Sequence, residues 1–299
     1  MATPVIIDTD PGIDDAVAIF YALRSPAFDV IGITTVAGNI GIETTTENAG
    51  RILALAGADV PVVRGAARPI SRNGFSATDV HGNDGLGGVQ LPAPRATVGS
   101  GATEWIAKTL SSAAPNTIDL FALGPLTNLA HLVRDHPKAV RRVRRIVAMG
   151  GAVEERGNVS QRAEFNIAAD PDAAEIVFAS GQPLTLIPLD VTRQVRAGRS
   201  HTARLIDAPD RVAQATGKLI DAYFQGTTGG DSRPLHDPCV MLFAEYPKLF
   251  SCVDRRLAVD CSSGPDVGAL SAGPHDVSVA MGVDGAVALA RLMARFLGS

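Results

Sequence analysis

Cysteine is scarce, with Cys239, Cys252 and Cys261 the three in 299 residues. Their spacing offers neither the paired thiols of a zinc site nor an even set for disulfide staples, so a reducing compartment, the cytoplasm, is the expected home. Cys239 reads as a small core residue. Long apolar runs are missing as well; none reaches the length of a membrane span, and no membrane partner is expected. The first residues run straight into a strand pattern without a basic region and apolar stretch, so they do not read as a targeting segment. Excess charge of either sign is lacking, at 27 Lys+Arg, 31 Asp+Glu and a formal −4, which excludes nucleic-acid capture by bulk charge. The run Arg141-Arg142-Val143-Arg144-Arg145 reads as a solvated face rather than an anion site. The one tryptophan, Trp105, sits on a predicted helix away from every motif, and core packing is its expected role. No repeat, low-complexity tract or linker divides the chain, so one domain over residues 1–299 is expected.

What the sequence does contain is a regular alternation of short apolar runs and amphipathic stretches. Strands are expected near Val5–Ile7, Val30–Val36, Ile118–Leu123, Ile146–Met149, Leu184–Leu189 and Val277–Met281. Helices are expected at Asp14–Leu23, Thr44–Ala56, Thr103–Leu110, Leu126–Val133, Pro171–Ala179, Arg211–Gln225 and Gly285–Phe296, where apolar positions recur at three and four. Near-continuous apolar strands joined by helices predict an α/β fold with a mostly parallel central sheet covered on both faces. In such a sheet ligands gather beyond the carboxyl ends of the strands.

One junction of this pattern is crowded with acid. In "VIIDTDPGIDDAVAIFYAL" four aspartates lie between Asp8 and Asp15. Pro11 and Gly12 force a turn, so Asp10 leaves the first strand as Asp14 and Asp15 enter the first turn of a helix. A purely structural account has Asp14 capping the helix and Asp8 and Asp10 bonding loop amides. The helix end favours each carboxylate by only about 0.3–1 kcal/mol, too little to offset three converging charges. Such acids either rise in pKa or hold a cation, and oxygen ligands without histidine or cysteine select Ca²⁺ or Mg²⁺ over zinc. A further carboxylate is available in "LHDPCVMLF", where Asp237 precedes Pro238 at a helix start and His236 stands beside it. "FALGPLTNLA" offers a carbonyl, Leu123, at the end of a strand.

Taken in order, "DTDPGIDDA", "AGN" at 37–39, "HGNDGLGG", "GPLTN", "AEFN" and "HDPC" resemble the motifs of the inosine–uridine preferring nucleoside hydrolase family. The likeness runs from about residue 5 to 240 and continues more weakly beyond. It implies a Rossmann-related α/β enzyme that cleaves the N-glycosidic bond of ribonucleosides to free base and ribose, using a tightly held Ca²⁺. By that likeness Asp10, Asp15, Asp237 and the main-chain oxygen of Leu123 bind the metal. Asp14, Asn39, Asn158, Glu164 and Asn166 bind the ribose hydroxyls, and Phe165 walls the pocket or anchors its loop. Asp10 is the candidate base for water, His236 the candidate proton donor to the leaving base, and His81 a second group near that base. Relatives form dimers or tetramers, so a homo-oligomer is expected, with a small-molecule ribonucleoside as partner and nucleoside salvage as role. The segment Tyr223–Arg233 is expected to form a flap over the nucleobase, with Tyr223, Phe224 and Gln225 either touching the base or packing elsewhere. Two alternatives are a Mg²⁺ phosphatase of the haloacid dehalogenase kind, whose Asp-x-Asp pattern is broken here by Pro11 and Asp14-Asp15, and a nucleoside-binding protein without turnover.

Overall fold

A computed structural model describes residues 2–95, 98–226 and 230–298. In chain order its strands are β1 (Thr3–Thr9), β2 (Phe28–Thr35), β3 (Val62–Arg64), β4 (Val98–Ser100), β5 (Asp119–Ala122), β6 (Arg145–Met149), β7 (Leu184–Ile187), β8 (Arg196–Gly198), β9 (Ser232–Pro234), β10 (Phe250–Val259), β11 (Leu270–Ala272) and β12 (His275–Val283). Ten of them form one sheet in the order β11-β10-β12-β7-β6-β5-β1-β2-β3-β4, while β8 pairs with β9 apart from it. Every pairing from β4 across to β12 is parallel. Near the far edge β10 runs against the rest of this sheet, pairing antiparallel with β12 on one side and β11 on the other.

Alternation along each central strand splits the core in two. Val5 and Ile7 of β1 face one apolar cluster and Ile6 the other; Phe121 and Leu120 of β5 divide the same way, as do Val147 and Ile146 of β6. Helix Ile13–Arg24 belongs to the first cluster and is buried at every position from Ile13 to Ala22, as expected of a helix apolar all round. Helices Ala102–Ser112, Thr127–Asp135 and Pro171–Phe178 supply the second. The α/β sandwich with a mostly parallel sheet is therefore as expected, and each expected strand and helix is present within a few residues.

The chain moves outward from β1 through β2, β3 and β4, then returns to the other side of β1 as β5. That reversal makes a crevice at the carboxyl ends of β1 and β5, the topological switch point where ligands bind in open α/β sheets. Asp10 follows β1 and Leu123 follows β5, so the fold brings both to the crevice.

The arginine run departs from its expectation. Arg144 and Arg145 both donate to Asp119 on β5, at 2.5, 2.6 and 2.9 Å, and Arg142 caps the Leu110 and Ala113 carbonyls. Arg144 and Arg145 thus tie β5 to β6, while Arg141 and Arg144 remain exposed to solvent. Trp105 packs as expected, lying over Gly32 so closely that a Cβ there would sit 2.1 Å from the ring. Cys239 is fully buried. No described helix is long and apolar enough to cross a membrane.

Asp119 is 0% exposed while its two arginines keep partial access to water. Asp119→Ala should therefore lower stability by about 1–3 kcal/mol, read as a reduced urea midpoint at unchanged m value.

Candidate active site

The floor of the crevice forms where β1 gives way to helix Ile13–Arg24. Asp15 closes the helix end itself, its Oδ2 accepting the Gly12 N–H at 2.9 Å, which is the carboxylate half of a capping box. Its Oδ1 takes the Thr9 hydroxyl at 2.5 Å and its Oδ2 also the Asn39 side-chain amide at 3.1 Å. Asp10 lies alongside, with Oδ2 accepting the Asn39 backbone N–H at 2.7 Å and Oδ1 buried without a partner among the described residues. Gly38 and Gly124 hem this carboxylate in; a Cβ on either would come within 2.1 Å of Oδ2 or 2.3 Å of Oδ1. Asp237 arrives from the other end of the chain, just before helix Pro238–Glu245. Asp14, Asp15 and Asp237 each bring a carboxylate oxygen within 4.8 Å of the others. Asp8 stays apart, bonded to Thr34 and Asn128, with burial pushing its pKa up to about 6.

Four acids thus share one floor, exposed by 5% at most. No described lysine or arginine forms an ion pair with any of them. Burial, then the charge of Asp15, holds Asp10 well above the usual carboxylate range. Burial and Asp14 raise Asp15, and burial with Asp14, Asp15 and Asp10 raises Asp237 far more than an exposed acid. One like-charged pair at 4 Å costs about 4 kcal/mol at an effective dielectric of 20, several times what the helix end returns. An oxygen-only donor set, an unpartnered buried Oδ1 and this surplus of negative charge fit a hard divalent cation.

Above the floor opens a cavity of 470 Å³, within the roughly 300–1,000 Å³ of small-ligand sites. Every residue expected to hold the metal, bind the ribose or serve as acid or base lines it except Asp10 and Asp15, which lie fully buried beneath. Several are already bonded within the protein. Asn39 spends its donors on Asp10 and Asp15, so it orders the acids and keeps only Oδ1 uncommitted. Asn166 donates to the Leu123 carbonyl at 2.7 Å and to Met149 O at 3.1 Å. That leaves the Leu123 oxygen one lone pair. Glu164 caps helix Phe165–Ala169, its Oε2 accepting from Ile167 and Gly151, and the backbone N–H of Asn166 also favours its ionised form. Asn158 accepts the Phe165 N–H at 2.8 Å and so pins the loop.

The remaining wall is aromatic and imidazole. Phe165 meets Phe75 edge-on at 5.3 Å. His81 accepts the Ile13 N–H on Nδ1, and His236 bonds the Thr192 hydroxyl through Nδ1 at 2.7 Å. Burial lowers the pKa of both rings, against the pull of Asp14. Tyr223 stacks edge-on His81 at 5.7 Å and bonds Asp14. Of the expected flap, Tyr223 and Arg233 line the cavity, whereas Phe224 packs outside it between the Arg199 and Arg233 guanidinium groups. Residues 227–229 and the side chain of Gln225 lie outside the described residues. Phe75, Val80, Met149 and Val159 also line the cavity without having been expected; their only signal is hydrophobicity in a loop, a four-residue helix or a strand end.

Residues 5–290 match the family model described as inosine-uridine preferring nucleoside hydrolase. The chain belongs to this family. Among its relatives, a pyrimidine-specific ribonucleoside hydrolase RihA from Citrobacter koseri is 42% identical over 87% of this chain and 85% of its own. A plant nucleoside hydrolase structure superposes over 100% of both chains at a TM-score of 0.91 and 33% identity. A purine-preferring ribonucleoside hydrolase from Gardnerella vaginalis superposes over 99% of this chain and 98% of that one, at 0.90 and 32%. This hydrolase is accordingly an N-glycosidase of the ribonucleoside class, and the phosphatase and binding-protein alternatives are set aside.

Gly38→Ala should displace Asp10 without disturbing the apolar core. Nucleoside turnover is expected to fall by about 10²-fold, with the far-UV circular dichroism unchanged; wild-type turnover would contradict the close fit around Asp10.

Proposed function

We propose that the hydrolase cleaves ribonucleosides with a Ca²⁺ ion held by Asp10, Asp15, Asp237 and the Leu123 carbonyl. When bound, the ion supplies positive charge that neutralises the acids, favours ionisation of a nearby water and grips vicinal hydroxyls. The observation carrying this reading is the buried Oδ1 of Asp10, unpartnered among the described residues, on a floor of acids with which no described lysine or arginine pairs. Ca²⁺ over Mg²⁺ is favoured by the number of oxygens on offer in a site of mixed side-chain and carbonyl donors.

The protein's own groups divide the remaining work. Asp10 takes the proton of the attacking water, the water oxygen bonds the anomeric carbon, and the bonding pair of the glycosidic C–N bond leaves with the base. Oxocarbenium character develops on the ribose at that moment, and the ionised carboxylates around it stabilise the positive charge. His236 donates to the departing base, so that the base leaves with less negative charge. Asp14, Glu164 and the side-chain oxygens of Asn39 and Asn166 accept from ribose hydroxyls, and Asn158 with Phe165 holds the loop that closes the sugar side. A deoxy sugar leaves such groups unpaired at about 1–3 kcal/mol each, so ribose is preferred. Acid and base steps contribute about 10²–10⁴-fold each; orientation of the sugar by this bonded framework supplies much of the rest. The free thiols of Cys239, Cys252 and Cys261 agree with a cytoplasmic setting.

The direct test is release of reducing sugar from uridine, cytidine, inosine and adenosine, with and without EDTA. Ribose should appear from at least one of them, be lost on chelation and return with Ca²⁺; no ribose from calcium-loaded protein would sink the reading. Chelation should also lower Tm, because an ion at 100 times its Kd stabilises the fold by about 2.7 kcal/mol.

His236→Ala should depress nucleoside turnover by about 10²–10⁴-fold while sparing p-nitrophenyl riboside, whose leaving group needs no help. Equal losses on both substrates would assign His236 to binding alone.

A further inference from the structure

His81 and His236 reach the cavity from distant parts of the chain, and both have Nδ1 already engaged. For His81 the partner is the Ile13 backbone N–H at 3.0 Å. An amide only donates, so Nδ1 is the acceptor and the neutral ring carries its proton on Nε2. For His236 the partner is the Thr192 hydroxyl at 2.7 Å, which is able to play either part.

Burial decides between them. Thr192 is 0% exposed, at the end of the short helix Leu189–Thr192 that follows β7. Its hydroxyl has no second side-chain or backbone partner among the described residues. If His236 Nδ1 carried the proton and donated it, the hydroxyl hydrogen would be stranded in the interior at about 1–3 kcal/mol. If the hydroxyl donates, both groups are satisfied and the ring's proton moves to Nε2. Thr192 itself does not line the cavity, whereas the His236 ring does.

We propose that Thr192 is a positioning residue, whose hydroxyl holds His236 as the Nε2–H tautomer so that the ring presents an N–H, not a lone pair, to the departing base. The two histidines then form a matched pair of Nε2–H donors, one fixed by a backbone amide and one by a threonine. No covalent step is involved; the hydroxyl orients the ring and selects which nitrogen bears hydrogen, as outer groups do for functional histidines elsewhere. This inference rests on the reading of His236 as the donor to the base.

Thr192→Val keeps the shape and removes the hydroxyl; Thr192→Ser keeps the hydroxyl. In the valine variant kcat on nucleosides should fall by about 10–100-fold, with KM changed by less than about threefold and p-nitrophenyl riboside turnover preserved. Serine should restore most of the loss. The ¹⁵N spectrum of the six histidines, with His236 assigned by its disappearance in His236→Ala, should show Nε2–H in wild type and serine variants and an altered tautomer in valine. Equal loss on both substrates, or a valine variant with wild-type spectrum and kcat, overturns the proposal. If the spectrum behaves as expected but His236→Ala leaves nucleoside turnover intact, the positioning by Thr192 stands and the donor role of His236 fails instead.

Discussion

Mutual repulsion among acids that the fold has removed from water is the constraint around which this protein is arranged. Asp10, Asp14, Asp15 and Asp237 meet from both ends of the chain, and leaving such charges dry costs several kcal/mol each unless something compensates. Amide and hydroxyl donors from Gly12, Thr9 and Asn39 offset part of the cost. Under the proposed function a cation offsets the rest, and the same charge then serves the sugar and the water.

Precision at this floor comes from the scaffold rather than from the loops. The reversal of strand order at β1 and β5 sets Asp10 and Leu123 side by side, and Gly38 and Gly124 leave room for one carboxylate and nothing larger. Side chains suited to sugar hydroxyls are in turn tied back to the framework: Asn39 to the acids, Asn166 to Leu123 and Met149, Glu164 to the end of its own helix. Few rotamers remain to be frozen when substrate enters, which is how preorganisation aids binding and catalysis.

Much of this was legible because it is local or strongly patterned. The apolar runs of β1, β5, β6 and β7 stand out, since strands buried on both faces tolerate little else. The acids show themselves by crowding against such a run. What escaped detection lacks either property. Strand β10, "FSCVDRRLAV", next to the sheet's edge, carries Asp254, Arg255 and Arg256 to solvent and so resembles a loop. At three residues each, β3 and β4 are too short to carry a period. The service of Arg144 and Arg145 depends on Asp119, some 25 residues earlier, and a charge run does not name its partner. Phe75 sits in an irregular loop whose place at the cavity is set by packing against Phe165.

Asp15 occupies two positions at once: third residue of a helix buried from Ile13 through Ala22 and wall of the acidic floor. Selection on either duty therefore preserves the other. A descendant that gave up catalysis would still need an acceptor at this point to begin that helix, so persistence of the aspartate in a distant homologue speaks of foldability first. Under the proposed function, loss of Asp10 or Asp237, neither of which starts a helix by bonding its amides, is the clearer mark of a chain released from chemistry.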